Sequence, residues 1–151
     1  MHSIVRRFIK TAFAFLLAGF VLGGWMMVQR EVYGSFPGRY QVSAHTHAIL
    51  VGFVIMMILG VALWLFPRPE KTDARYRPVL VEVAYWLITG GTAVRFAGEL
   101  ARSAIDADWL RWGVLAAGFA QIAAVLVFFY TMWSRIRAAG SQVREAKGER
   151  F

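Results

Sequence analysis

The stretch AHTHAILVGFVIMMILGVALWLFPR, residues 44–68, contains a run of nineteen uncharged residues over positions 48–66. About 20 apolar residues in an α-helix cross the hydrocarbon core of a bilayer. Pro67 follows the run, and a proline ends helices because its ring removes a backbone donor and clashes with the preceding turn. We therefore predict a membrane-spanning helix whose first turns carry His45 and His47.

Three more apolar stretches occupy the rest of the chain, and 58% of its 151 residues are hydrophobic. This composition is too apolar for a soluble domain of the same size. We predict an all-α, integral membrane four-helix bundle that forms a single domain in the lipid bilayer. The predicted helices cover about residues 8–29, 43–66, 78–99 and 109–134, and a basic tail covers residues 135–151.

Lys and Arg residues are distributed unevenly among the segments that connect these helices. Twelve of the 17 lie in the N-terminal segment, the second connection and the C-terminal region, and five lie on the other side. Basic segments stay in the cytoplasm, so both termini are predicted to be cytoplasmic. The net charge of +8 is thus explained by topology and not by a nucleic-acid partner, and we expect a multi-pass protein of the plasma (inner) membrane. A cleaved signal peptide is the alternative for the first helix, but no A-x-A pattern follows its apolar core.

The chain contains no cysteine. Disulfides, thiolate zinc sites, iron–sulfur clusters and covalently attached c-type haem all need cysteine, so the sequence excludes them. Histidine is therefore the main candidate ligand for a metal or haem, and the chain has three histidines.

His45 and His47 are separated by one residue. Two positions correspond to about 200° of rotation on an α-helix, so the two side chains project to nearly opposite faces. They cannot both bind one ion from the same helix. The spacing predicts two sites: either each histidine contacts a different neighbouring helix, or each binds a different cofactor on either flank.

Glycines at two places predict close contacts between helices. Gly52 lies on the His45 face of helix two, where the missing side chain leaves room for a flat porphyrin or for a packed helix. Gly19 and Gly23, four residues apart in helix one, predict a groove for a neighbouring helix.

Arginines near the outer ends of the helices are candidate partners for an anionic group. These are Arg95, Arg111 and Arg39. The arginine fork matches the geometry of a carboxylate, such as a haem propionate. For Arg95 the alternative is a local pair with Glu99, four residues further along the same helix.

Helix two resembles the second helix of the four-helix units in the catalytic subunit of haem-copper oxidases and nitric oxide reductases. It is still more similar to small four-helix membrane homologues of that subunit. The shared residues are His45, His47, Gly52 and the terminal Pro67-Arg68 pair, whereas Phe53 stands where tryptophan is common. The resemblance covers about residues 12–130, but only the helix-two motif is specific.

The resemblance implies a non-covalently bound haem b. In the related catalytic subunits, an H-x-H pair serves two different haems, so His45 and His47 would each ligate iron. It also implies a homo-oligomer, a dimer or trimer, with haem held at or near subunit interfaces. The family's copper site needs three further histidines, and this chain offers only His2, at the opposite end. We therefore do not expect a binuclear centre.

The sequence thus predicts a haem b-binding cytochrome whose ligands lie near the periplasmic side. Electron transfer or binding of a diatomic gas, NO or O2, is the expected use, and whether the protein is also an enzyme stays open. One alternative is a copper or zinc protein in which H-x-H pairs from several protomers hold the ion, with Met26 and Met27 as soft ligands. Another is a cofactor-free assembly partner of a respiratory complex.

Overall fold

A computed structural model describes residues 3–67, 73, 75–136 and 147–148. Every regular element within these residues is helical, and four helices are long and apolar enough to cross a membrane. The all-α, four-span prediction is therefore confirmed. His2 and most of the predicted basic tail lie outside the described residues.

The second span is built from three consecutive elements, whereas the first and third spans are single α-helices and the fourth is an α-helix that ends in a 3-10 turn. In chain order the elements are α1 (Ser3–Glu31), α2 (Arg39–His47), a π-helical segment (Ala48–Ile55), α3 (Met56–Leu65), α4 (Pro78–Arg102), α5 (Asp108–Met132) and a short 3-10 turn (Trp133–Arg135). The π-helical segment begins directly after His47. The sequence predicted a regular α-helix there. Nearly every residue of this run is apolar, so the sequence has no hydrophobic period that could distinguish i→i+5 bonding from α-helical bonding.

Helix ends lie outside the predicted limits where local contacts extend them. α2 begins at Arg39 instead of residue 43, because the Gln41 side chain accepts a 2.8 Å hydrogen bond from the Gly38 backbone N–H. This contact satisfies a donor that the first helical turn leaves free. α1 begins at Ser3 instead of residue 8, and its extra turn buries Val5 in the core.

We call the end of the bundle at Ser3 and at the α3–α4 connection the inner end, and the opposite end the outer end. α1 packs along the π-helical segment and α3, α2 packs on α4, and α4 and α5 pack against each other along their lengths. Large apolar side chains fill the half of the bundle near the inner end. The Phe8 ring lies edge-on to Tyr85 at 5.1 Å and to Phe128 at 6.3 Å.

Arg135 closes the inner end by joining α5 to the second span. It is 4% exposed and donates hydrogen bonds to the carbonyl oxygens of Pro67 at 2.7 Å, Phe66 at 3.1 Å and Leu63 at 3.3 Å. The last carbonyls of a helix have no partner within the helix, so these contacts cap the end of α3. Ser134, the residue before Arg135, donates a hydrogen bond to Asp73 and thereby lowers the pKa of that carboxyl below its usual value.

Candidate functional site

The His45 imidazole lies in the groove that Gly19 and Gly23 form on α1. Its Nδ1 is 2.9 Å from the Gly19 carbonyl oxygen. A carbonyl only accepts hydrogen bonds, so Nδ1 carries the proton and Nε2 carries the lone pair. A Cβ at Gly23 would lie 2.8 Å from His45 Cε1, so the ring occupies the space that this glycine leaves. Ile49 fills the same groove beside Gly19.

The His47 imidazole contacts α4 instead. Its Nδ1 is 2.8 Å from the carbonyl oxygen of Ser43, one turn earlier, and 3.4 Å from Glu99 Oε2. Both atoms are acceptors, so Nδ1 again carries the proton. In the part of the chain that the structure describes, neither histidine Nε2 has a hydrogen-bond partner. The two rings thus contact different helices, as their rotation about the helix axis requires.

Glu99 connects His47 to a buried polar network between α2, α4 and α5. Its Oε1 accepts hydrogen bonds from Ser43 Oγ at 2.8 Å and from Arg95 Nε at 3.0 Å. Arg95 Nη1 donates to Gln121 Oε1 at 3.2 Å, and Gln121 Nε2 donates to Thr92 Oγ1 at 3.0 Å. The local pair considered for Arg95 is therefore present, and the same guanidinium reaches α5.

A pocket of about 360 Å³ opens at the outer end between α4 and α5, and three arginines, Arg95, Arg102 and Arg111, line it. The rest of its wall is mostly apolar and comes from α5. A second, apolar pocket of about 280 Å³ between the π-helical segment and α5 shares Gly118 and Ile122 with the first. The two pockets form one groove with cations at the outer rim and apolar side chains below.

Arg39, the third predicted arginine, lies beside this groove and does not line it. Its guanidinium stacks on the Tyr40 ring, 4.9 Å from the centroid, and Arg102 lies over the same ring at 4.5 Å. Arg39 is therefore linked to the pocket through Tyr40 and Arg102. Arg111 pairs with Asp108 at 3.3 Å, an exposed contact of little energetic weight.

Most of the described chain matches a known family. The family model described as cytochrome c and quinol oxidase polypeptide I matches residues 3–147. The chain belongs to this family. Comparisons with curated proteins and with solved structures find no significant match. Membership in the polypeptide I family confirms the resemblance that the helix-two motif indicated.

Gly52, which the polypeptide I motif singles out, packs against α1. A Cβ at this position would lie 2.6 Å from Phe15 Cγ. Phe15 therefore fills the space beside Gly52. Of the two uses predicted for this space, a porphyrin or a packed helix, the structure shows the packed helix. A porphyrin against this face would require Phe15 to move.

The structure of this polypeptide I family member also brings in residues that the sequence did not single out. Ser43 and Gln121 join the network around Glu99, and Tyr40 and Arg102 join the arginines. Arg102 Nε is buried and has no hydrogen-bond partner among the described residues. The sequence shows that Arg102 is a charged residue between two apolar spans, near the outer interface. It does not show that Arg102 lines the pocket, because that depends on how α4 packs against α5.

Proposed function

We propose that this chain is a haem b-binding membrane protein in which His45 and His47 ligate iron through Nε2. The observation that carries the proposal is the fixed tautomer of both rings. A histidine that ligates a metal almost always donates its other ring N–H to a carbonyl, a carboxylate or water. Here the acceptors are the carbonyls of Gly19 and Ser43, and both Nε2 atoms lack a partner within the described residues.

The metal-ligand count favours haem over a bare ion. No three His, Cys, Asp or Glu side chains within the described ranges lie close enough to hold a metal ion. A porphyrin supplies four nitrogens of its own, so haem iron needs only one or two ligands from the protein. Members of the polypeptide I family usually bind haem and copper, which is compatible with this choice.

The arginine-lined groove offers partners for the other parts of a haem. Neither His45 nor His47 lines it, so a haem seated there would take its iron ligands from a neighbouring protomer. Arg95, Arg102 and Arg111 would face the propionates, and the buried Nε of Arg102 is a donor in need of an acceptor. Arg39 would support Arg102 through Tyr40. The apolar floor between the π-helical segment and α5 would lie against the ring. Arginine pairs with carboxylates through two parallel hydrogen bonds, which orients the bound group.

Haem bound in this way supplies a one-electron redox centre or, with an open iron position, a site for NO or O2. We place the ligand histidines near the periplasmic side of the plasma membrane, as the charge distribution indicates. We also propose a dimer or trimer with haem at or near subunit interfaces. An interface that uses opposite faces of the second span closes into a ring, whereas a self-complementary one gives a dimer.

The visible spectrum of detergent-purified protein from haem-replete cells tests the proposal. We expect a Soret band and a reduced α-band in the b-type region. Metal found by elemental analysis without these bands would instead favour copper or zinc, and colourless, metal-free protein would favour an assembly partner.

Variants of the histidines test the ligand assignment. His45→Ala and His47→Ala should each abolish or halve the haem content, measured per chain as the pyridine haemochrome, because each removes one iron ligand. His2→Ala is the matched control and should retain all haem. Full haem content in both helix-two variants would place the ligands elsewhere.

A further inference from the structure

Glu99 is a buried carboxylate within a span, and its two oxygens have different surroundings. The residue is 3% exposed, and Oε1 accepts the hydrogen bonds from Ser43 and Arg95. Oε2 is buried without a hydrogen-bond partner in the described part of the chain, and it lies 3.4 Å from His47 Nδ1. Charged side chains inside a membrane are costly, so such a residue points to a functional role.

The two histidines differ in the charge beside Nδ1. Oxygens of Ser43 and of the Glu99 carboxylate surround His47 Nδ1, whereas the His45 Nδ1 contact is a neutral carbonyl of Gly19. A carboxylate beside Nδ1–H raises the basicity of the ligating nitrogen and orients the ring. It also places a negative charge near the iron, which stabilises the ferric state relative to the ferrous state.

We propose that Glu99 is a positioning residue for His47 that lowers the reduction potential of iron bound there. This inference rests on the proposed haem function. The Ser43 carbonyl, at the shorter distance, sets the ring orientation, and the Glu99 carboxylate supplies the charge. Arg95 offsets part of that charge by bonding Oε1, whereas the 3.4 Å contact with His47 is made by Oε2. Iron that His47 ligates is therefore harder to reduce than it would be with an uncharged residue at position 99.

Glu99→Gln in the haem-containing full-length protein tests this role. The amide retains the shape of the side chain and removes its charge. We expect the midpoint potential to shift to a higher value and the electron paramagnetic resonance signal of the ferric iron to change. Glu82→Gln is the matched control, because Glu82 lies on the same helix at the inner end, paired with Arg7. It should leave the potential and the signal unchanged.

Glu99→Asp separates charge from folding. It keeps the carboxylate, so the potential should stay nearer to that of the wild type than in Glu99→Gln. Ser43→Ala is the second variant if Glu99→Gln does not purify: it keeps the backbone acceptor of His47 but removes the hydroxyl that donates to Glu99 Oε1 and lies 3.3 Å from His47 Nδ1. The carboxylate then loses a donor that offsets part of its charge, so the potential should shift to a lower value.

The outcomes distinguish this inference from the proposed function. Haem-free wild-type protein, or His47→Ala with the wild-type iron signal, would overturn both. Loss of iron ligation in His47→Ala together with a wild-type potential in Glu99→Gln would overturn the role of Glu99 alone. If Glu99→Gln does not purify, a wild-type potential in Ser43→Ala would do the same.

Discussion

At the scale of single residues, the hydrogen bonds of two imidazole nitrogens decide what the site can bind. Sequence spacing gives the directions in which His45 and His47 point. The acceptors at Gly19 and Ser43 add the tautomer of the neutral ring, because each takes a hydrogen bond from Nδ1. In the proposed haem site, each imidazole would therefore donate its Nε2 lone pair to iron.

Gly23→Ala is expected to weaken the site at His45 and leave that at His47 intact. The new Cβ would lie 2.8 Å from His45 Cε1 and 3.2 Å from Nδ1, so the ring must shift from its position on α1. We expect haem content to fall toward that of His45→Ala. The measurement is the absorption spectrum per chain after purification.

Gly24→Ala is the control for this substitution, since a Cβ there meets no atom within 4 Å. It should bind haem like the wild type. Equal haem content in the two alanine variants would contradict the placement of His45 against α1.

At the scale of secondary-structure elements, the second span combines an outer α-helix, a π-helical segment and an inner α-helix. The outer part carries the histidines, and the inner part buries Met56, Leu59 and Leu63 in the core. π-helical turns are rare and occur often at functional sites. Here the wider turns set the rotation between the histidine-bearing faces and the core-facing residues.

The inner end of that span depends on a residue from another helix. Arg135 donates to three carbonyls at the end of α3, and Tyr76 lies 5.3 Å from its guanidinium. Helix carbonyls carry a partial negative charge at this end, which a cation stabilises. The contact holds the second span against α5.

Arg135→Ala should lower the free energy of unfolding by about 2 kcal/mol or more, since a hydrogen bond to a charged group contributes about 1.5–3 kcal/mol. Arg135→Lys should recover part of the loss, because one ammonium cannot reproduce the planar fork. Thermal unfolding in detergent, followed by circular dichroism, measures both. Arg75→Ala, at an exposed side chain, is the control, and an equal loss there would contradict the capping role.

At the scale of the whole molecule, the bundle separates stability from the candidate site. Large apolar side chains fill the inner half, whereas the outer half buries small residues and the polar network around Glu99 and Gln121. Changes in the outer half can therefore alter ligand binding while the inner core still holds the helices together.

If protomers share a haem, two ligand variants that each lose haem should restore haem binding when they are mixed. If one haem takes His45 from one protomer and His47 from the next, His45→Ala and His47→Ala chains supply a complete ligand pair where they meet. Co-expressed and purified through two different tags, the mixed oligomer should hold more haem per chain than either variant alone. Haem content equal to the mean of the two variants would exclude sharing.

The topology is testable because the chain has no native cysteine. We expect Ser35→Cys, in the first outer connection, to react with a membrane-impermeant maleimide in intact cells. Arg75→Cys, in the inner connection, should react only after the membrane is permeabilised. The opposite pattern would place the histidines on the cytoplasmic side.

The sequence by itself determined four spans, the absence of cysteine chemistry and the opposed directions of His45 and His47. These features are local: they depend on the length of an apolar run and on the rotation per residue. The helix-two motif was also enough to indicate the polypeptide I family, which the match over residues 3–147 confirms.

Only the tertiary structure decided which atoms meet the histidines and the arginines. His45 reaches a carbonyl 26 positions earlier, and Ser43 reaches Glu99 56 positions later. Such pairs depend on how whole helices rotate and pack, and the rotation of the second span changes through its π-helical segment. Helix packing also puts Phe15 in the space beside Gly52 and Arg102 in the groove. No local sequence pattern specifies that packing.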